Sequence, residues 1–145
     1  MQSCTLHRIG DPRCWQRQDC EKLLKRWADL CPVFIYDYDP GVDLQNLPFP
    51  TLHNLRHDIP FFKDLGVWGF WTEGQNTWMR THLNYYVRTK LMWNSDLDVD
   101  AIVRDYCQKF YGEAAYWIEK YVWTLENAVE KTDLHAQWGN NHHIP

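Results

Sequence analysis

Three short apolar segments limit the folds available to this chain. They are "SCTLHRI" (3–9), "VFIYD" (33–37) and "VWGFW" (67–71), and each is too short to form a stable helix. A stretch with helical periodicity follows each segment. Strands that are separated by helices usually pair in parallel, because the crossover connection needs a dozen or more residues. The sequence therefore predicts an α/β fold with three strand–helix units.

The helical stretches are recognised by the spacing of their apolar residues. Leu23, Leu24 and Trp27 lie on one face of the first, and the second spans 51–66 with an expected interruption at Pro60. Three more helices are predicted over the ranges 78–93, 99–111 and 113–131. Thr77 and Asp98 are the N-cap candidates of the first two of these. The second half of the chain is therefore expected to be helical.

Polar residues follow each predicted strand: His7 and Arg8, Tyr36 and Asp37, and finally Glu73. This is the arrangement of functional groups at the active face of a (β/α) barrel. A closed barrel needs eight strands and about 250 residues, whereas this chain has 145. We therefore predict the last three βα units of a barrel (1–76), then packed C-terminal helices (77–131) and a flexible tail (132–145).

Composition excludes several classes of partner and cofactor. The formal charge is −4, and no basic stripe is present that would bind nucleic acid. The apolar runs are too short to span a membrane. The five cysteines form no C-x-x-C pair. We therefore predict reduced thiols, with a disulfide among the first four cysteines as the alternative, and neither a metal nor a cofactor. If Met1 is the natural start, the absence of a signal peptide predicts a cytoplasmic location.

Aromatic residues are unusually abundant, at 16% of the chain with 9 Trp, 8 Tyr and 6 Phe. Buried packing is the common fate of such residues. Flat aromatic faces are also what proteins use to stack against sugar rings. Composition leaves both interpretations open.

Three segments together resemble a known family. They are "PFP" (48–50), the Gly-x-x-Gly-x-x-x-Glu-Gly pattern (66–74) and "KLMWNSDLDVDAIVRDYCQKFYGEAA" (90–115). They are similar to the closing part of a bacterial glycoside-hydrolase-like family, domain of unknown function four-eight-three-eight, over residues 4–128. The resemblance implies a (β/α)8 barrel related to hexosaminidases and α-glucuronidases. It also implies an exported parent protein that binds an oligo- or polysaccharide and hydrolyses glycosidic bonds.

The resemblance implies a role for Glu73, because Trp71-Thr72-Glu73 is similar to a Trp-x-Glu segment that contacts substrate hydroxyls. A carboxylate at such a position accepts charge-assisted hydrogen bonds from a sugar. Two alternatives are a surface glutamate paired with Arg80 and a catalytic acid whose pKa is raised by apolar neighbours. The catalytic acids themselves are expected upstream of Met1.

Six further residues are candidates for contacts with the substrate. Asp37 and Tyr36 end the second strand, and Trp71 and Trp78 offer ring faces to a sugar. His7 is as well suited to anchoring its strand as to binding a hydroxyl. Arg8 is suited to an anionic sugar or to a structural ion pair.

The sequence thus predicts a carbohydrate-binding fragment of a glycoside-hydrolase-like protein, inactive by itself. It would supply late-strand substrate contacts for hydrolysis by the parent. Its macromolecular partner would be the missing N-terminal half of the barrel or a second copy of the chain. The alternative is a non-catalytic helical interaction module in which the aromatic residues are the core.

Overall fold

The computed structural model describes residues 4–38, 48–73 and 78–135. These ranges contain five α-helices and two β-strands. In chain order they are α1 (Trp15–Ala28), β1 (Phe34–Tyr38), α2 (Leu52–Asp64), β2 (Gly69–Glu73), α3 (Trp78–Trp93), α4 (Val99–Tyr111) and α5 (Ala115–Glu130), with a 3-10 turn at Gly112–Ala114. Among these helices, none combines the length and the apolar content required to cross a lipid bilayer.

The described strands form a two-stranded parallel sheet, in which Tyr36 lies opposite Trp71 and Asp37 opposite Thr72. The predicted partial (β/α) barrel is therefore wrong, since the described chain is mainly helical and does not contain three βα units. The segment 4–10 forms bends and turns instead of a strand.

One side-chain contact explains why the first segment is not extended. The Sγ atom of Cys4 lies 3.2 Å from Nδ1 of His7. Side chains three residues apart point to opposite faces of a strand, so this contact requires a turn. The predicted strand rested on the apolar residues of this short segment, and these residues alone do not make the backbone extended.

Four helices enclose the main hydrophobic core, with α2 packed on α3 and α5, and α4 packed on α3 and α5. The core residues are fully or almost fully buried aliphatic side chains and one cysteine: Leu52, Leu55, Ile59, Val87, Leu91, Val99, Val103 and Cys107. Helix α2 continues through Pro60, which the sequence had predicted to interrupt it. The sheet meets the edge of this core where the Phe70 ring of β2 lies 5.9 Å from the Phe62 ring of α2, centroid to centroid.

Local signals set both ends of α4. The carboxylate of Asp98 accepts a hydrogen bond from the Asp100 N–H at 3.0 Å, which confirms the predicted N-cap. Gly112 follows the last residue with a φ of +53°, in the region that favours glycine. The other predicted cap, Thr77, lies outside the described residues.

The tryptophans of the described ranges lie mostly at the surface. Seven are exposed, at positions 15, 27, 68, 71, 78, 93 and 117, whereas the buried core is aliphatic. An indole at the surface does not contribute the large stabilising free energy that burial of its apolar area would give. Clustered exposed apolar surface marks interaction sites in soluble proteins. Core packing therefore does not explain why this sequence is rich in aromatic residues, and their exposed side chains mark candidate interaction sites.

Candidate functional site

The sheet has one open face, and aromatic side chains cover it. Phe34, Tyr36 and Trp71 are 68%, 47% and 63% exposed. Tyr36 and Trp71 are register partners, and their rings stack with centroids 4.6 Å apart and planes inclined by 17°. Alternate residues of a strand share a face, so Phe34 lies on the same side. The Tyr36–Trp71 pair is therefore an exposed, preorganised aromatic surface.

Asp37 lies beside this pair but belongs to the other face of the sheet, where α3 packs. The Nη2 atom of Arg88 is 3.7 Å from Oδ2 of Asp37, and its guanidinium lies 4.9 Å from the centroid of the Phe70 ring. Arg88 is buried, whereas the side chain of Asp37 is 48% exposed. The positive charge of Arg88 thus faces the carboxylate of Asp37 near the end of β1.

Two other predicted residues, Glu73 and Trp78, lie on either side of residues 74–77 in the sequence. Glu73 is the last residue of the strand and lies opposite Tyr38 in the register. Its side chain and residues 74–77 lie outside the described part of the structure. Trp78 begins α3, is 57% exposed and stacks on Tyr85 at a centroid distance of 5.4 Å. One stacked aromatic pair therefore includes β2 and a second lies at the start of α3.

A cavity of about 550 Å³ lies between α1, β1 and α2, and both Tyr36 and Asp37 contribute to its lining. Its walls are mostly apolar, including Trp27 of α1. Two polar atoms of the lining, Oδ1 of Asn54 and Oγ1 of Thr51, are buried and have no hydrogen-bond partner within the described residues. Leaving a buried polar atom unpaired costs about 1–3 kcal/mol. A bound hydroxyl group or a water molecule would remove that cost.

Asp58 and Arg17 form an ion pair in the wall of this cavity. The Nη2 atom of Arg17 is 2.5 Å from Oδ2 of Asp58, and the Ile9 N–H donates to Oδ1 at 2.7 Å. Burial raises the pKa of Asp58 to about 6, an increase that the positive charge of Arg17 opposes without cancelling. Carboxyl groups with such a pKa are common at sites that transfer protons or bind ligands. Neither residue was a candidate in the sequence, because their contact joins positions 41 residues apart.

His7 and Arg8 do not join the sheet residues, because no strand brings them there. His7 is 1% exposed, and its Nε2–H donates to the Thr132 carbonyl at 3.0 Å. Burial lowers the pKa of His7, although the bond to Thr132 opposes this. Arg8 borders a smaller polar pocket of about 200 Å³, together with Asp11 and His53. The structure thus brings together three predicted residues, Tyr36, Asp37 and Trp71.

The family described as "Domain of unknown function (DUF4838)" matches residues 4–123. The chain belongs to this family. No curated protein and no solved structure matches the chain. The DUF4838 match includes the sheet, the cavity and helices α1 to α4 in full. Membership confirms the family resemblance found in the sequence, and it assigns no activity.

A second cluster of reactive side chains lies away from the sheet of this DUF4838 chain. Its members are two cysteines and two histidines whose ligand atoms lie within 4.8 Å of one another: Cys4, His7, Cys14 and His135. The sequence had predicted no metal site. The one local signal was the C-x-x-H spacing of Cys4 and His7, and His135 is 121 residues beyond Cys14.

Proposed function

We propose that this chain binds carbohydrate at the open face of its sheet, within a longer glycoside-hydrolase-like protein. The chain would supply substrate contacts, and glycosidic-bond hydrolysis would belong to the longer protein. The observation that carries the proposal is the exposed Tyr36–Trp71 pair, because its rings are stacked before any ligand arrives. A preorganised surface loses little conformational entropy on binding.

The chemistry of the surroundings favours an uncharged oligosaccharide. A sugar ring has apolar C–H faces that pack on aromatic rings and hydroxyl groups that donate to carboxylates. Asp37 follows Tyr36 in β1 and offers such a carboxylate from the opposite face of the sheet, beside Arg88, to the part of a glycan that extends past the ring pair. The chain carries a formal charge of −4, which disfavours polyanionic glycans. Neutral glycans therefore fit this surface better than uronates do.

Titration calorimetry with a panel of neutral and acidic oligosaccharides tests the proposal. We expect binding of at least one neutral oligosaccharide, with Trp71→Ala or Tyr36→Ala weakening it at least about tenfold, as buried aromatic anchors do in other interfaces. The matched control is Trp93→Ala, because that indole is 92% exposed at the far end of α3 from Trp78. Affinity should be unchanged in the control.

Two outcomes contradict the proposal. One is the absence of binding to every glycan of the panel by a folded protein. The other is equal affinity for wild type and Trp71→Ala, since the aromatic pair would then contribute nothing. Circular dichroism of each variant separates a lost contact from a lost fold.

A second candidate function is a protein-interaction module, which the exposed indoles on α1 and α5 favour. Trp27 and Trp117 are 51% and 65% exposed and lie on helices that do not form the open face of the sheet. In that case Trp117→Ala, and not Trp71→Ala, would weaken binding of the partner protein, whereas Trp27 also lines the cavity beside Tyr36 and does not separate the two candidates. The oligosaccharide titration of these variants distinguishes the two candidates, because only a carbohydrate site at the sheet requires Trp71.

A further inference from the structure

The cluster of Cys4, His7, Cys14 and His135 joins the two ends of the described chain. The sulfur of Cys4 is 3.2 Å from Nδ1 of His7, and the sulfur of Cys14 is 3.4 Å from Nδ1 of His135. All four ligand atoms lie within 4.8 Å of one another. Two separate thiol–imidazole hydrogen bonds would not require all four atoms to converge. The convergence is what a shared ligand would produce.

The donor set and its dimensions match tetrahedral zinc. Two cysteine sulfurs and two histidine nitrogens are a common set of ligands for structural zinc. With Zn–S bonds of about 2.3 Å and Zn–N bonds of about 2.0 Å, the ligand atoms of a tetrahedron are about 3.3–3.8 Å apart. The sulfur–nitrogen separations of the pairs Cys4–His7 and Cys14–His135, 3.2 and 3.4 Å, are close to that range. A closure of about 1 Å in the longest separation completes the tetrahedron.

The hydrogen bond on the far side of His7 prepares this residue for a metal ion. A carbonyl oxygen only accepts hydrogen bonds, so Nε2 of His7 carries the proton that is donated to Thr132 at 3.0 Å. In the neutral ring, Nδ1 then has the free lone pair, on the side where Cys4 lies. A backbone carbonyl that fixes the tautomer of a histidine in this way is typical of metal sites.

We propose that one zinc ion binds tetrahedrally between these four side chains. Four protein ligands leave no open position, so the ion is structural. Binding displaces the two thiol protons to solvent and leaves two thiolates on the metal, which balance its charge of two. The ion connects residues 4–14 to the segment that follows α5, two regions more than 120 residues apart in sequence. This inference is independent of carbohydrate binding.

The competing structure is a disulfide between Cys4 and Cys14. Both sulfurs belong to the cluster, and all five cysteines of the chain are free thiols in the structure. A disulfide would remove both sulfur ligands and leave only two histidines. The two states therefore exclude each other, and mass spectrometry separates them because a disulfide removes two hydrogen atoms.

The test uses the full chain, purified under reducing conditions, treated with a chelator and then titrated with Zn²⁺ in competition with a coloured chelator. We expect one high-affinity site per chain. We also expect the thiolate charge-transfer absorption of a tetrahedral site when Co²⁺ replaces Zn²⁺. His135→Ala should weaken Zn²⁺ binding by at least about 10–100-fold, the loss that even outer-sphere partners of a metal produce. His135 is exposed, so this substitution leaves the core intact.

Two control variants and one spectroscopic measurement make the test specific. Cys31→Ser changes an exposed cysteine outside the cluster and should leave affinity unchanged. The double substitution of His142 and His143 to alanine examines binding by the histidines of the tail, and it should also have no effect. Cys14→Ser removes one sulfur ligand and should also weaken Zn²⁺ binding. If this variant fails to fold, X-ray absorption of the wild-type Zn²⁺ complex still identifies the ligands. Two sulfur and two nitrogen neighbours support the proposal.

Four results of these binding and spectroscopic experiments would overturn the zinc proposal. They are a stoichiometry near zero, an unchanged affinity in His135→Ala, binding that disappears with the tail histidines, and a first shell without sulfur. A Cys4–Cys14 disulfide that persists in the protein purified with reductant would have the same consequence.

Discussion

Glu126 connects two helices through a single buried carboxylate. It lies on α5 and accepts hydrogen bonds from the backbone N–H groups of Leu52 and His53, at 3.0 and 3.1 Å, where α2 begins. The ring Nδ1 of His53 donates to the same carboxylate at 2.5 Å. The unpaired N–H groups of a helix N-terminus attract a negative charge. A residue from α5 thus caps α2 and holds a histidine at its first turn.

The charge state of His53 follows from its two acceptors. Its Nε2 also donates, to the Leu6 carbonyl at 3.0 Å, so both ring nitrogens carry protons. Burial disfavours the charged ring, but the bonds to Glu126 and Leu6 outweigh burial and raise the pKa of His53 above 6.5. A raised pKa in the folded state stabilises the protein below pH 6.5, and that stabilisation is lost as the pH rises through the raised value.

His53→Gln should therefore show a pH-dependent loss of stability. We expect the difference in unfolding free energy between wild type and variant to be largest below pH 6.5, at about 3–5 kcal/mol for a broken buried pair, and to shrink above it. Urea unfolding at several pH values measures this difference. The control is His57→Gln, one turn along α2. Burial lowers the pKa of His57, so the difference in unfolding free energy between wild type and His57→Gln should not shrink above pH 6.5. If the difference in unfolding free energy between wild type and His53→Gln did not change with pH, the raised pKa of His53 would be contradicted.

At the scale of elements, the sequence was informative where local forces determine the structure. The start of α4 follows from the short polar side chain of Asp98 and its end from Gly112, and both signals lie within a few residues. The prediction of a strand in the first segment was wrong because the conformation of residues 4–10 depends on partners that are distant in sequence. Ile9 donates its N–H to Asp58, and the Thr5 carbonyl accepts from Asn54. No periodicity in the segment itself reports those contacts.

Asp98→Ala tests the local signal. The substitution leaves the Asp100 N–H without its side-chain acceptor, and loss of an N-cap of this kind costs about 0.5–2 kcal/mol of stability. Asp96→Ala is a close control, because it removes only an exposed ion pair with Lys63, and solvent screens such pairs so that they contribute little to stability. Chemical denaturation of both variants gives the comparison. Equal stabilities of Asp98→Ala and wild type would show that the cap does not determine where α4 begins.

At the scale of the whole molecule, the predictable part of the site was the part that lies on strands. Tyr36 and Trp71 were found because each occurs in a short aromatic segment, and parallel pairing placed them opposite each other. Arg88 was missed because its partner Asp37 is 51 positions away and on another element. The Cys4 and His135 contributions to one cluster were missed for the same reason. Sequence periodicity identifies elements, whereas the convergence of side chains depends on how those elements pack.

The surface position of the tryptophans leads to a prediction for the molecule in solution. Iodide is charged and does not enter an apolar interior, so it quenches only exposed indoles. Because seven tryptophans of the described ranges are exposed, most of the native fluorescence should be quenchable, as in the urea-unfolded chain. Trp93→Phe should lower the quenchable fraction, since its indole is 92% exposed. Trp123→Phe is the control, because this half-buried ring packs against the core and Arg56. Native emission that iodide leaves mostly intact would mean that these aromatic surfaces are covered in solution, and the open face of the sheet would then be closed to any sugar.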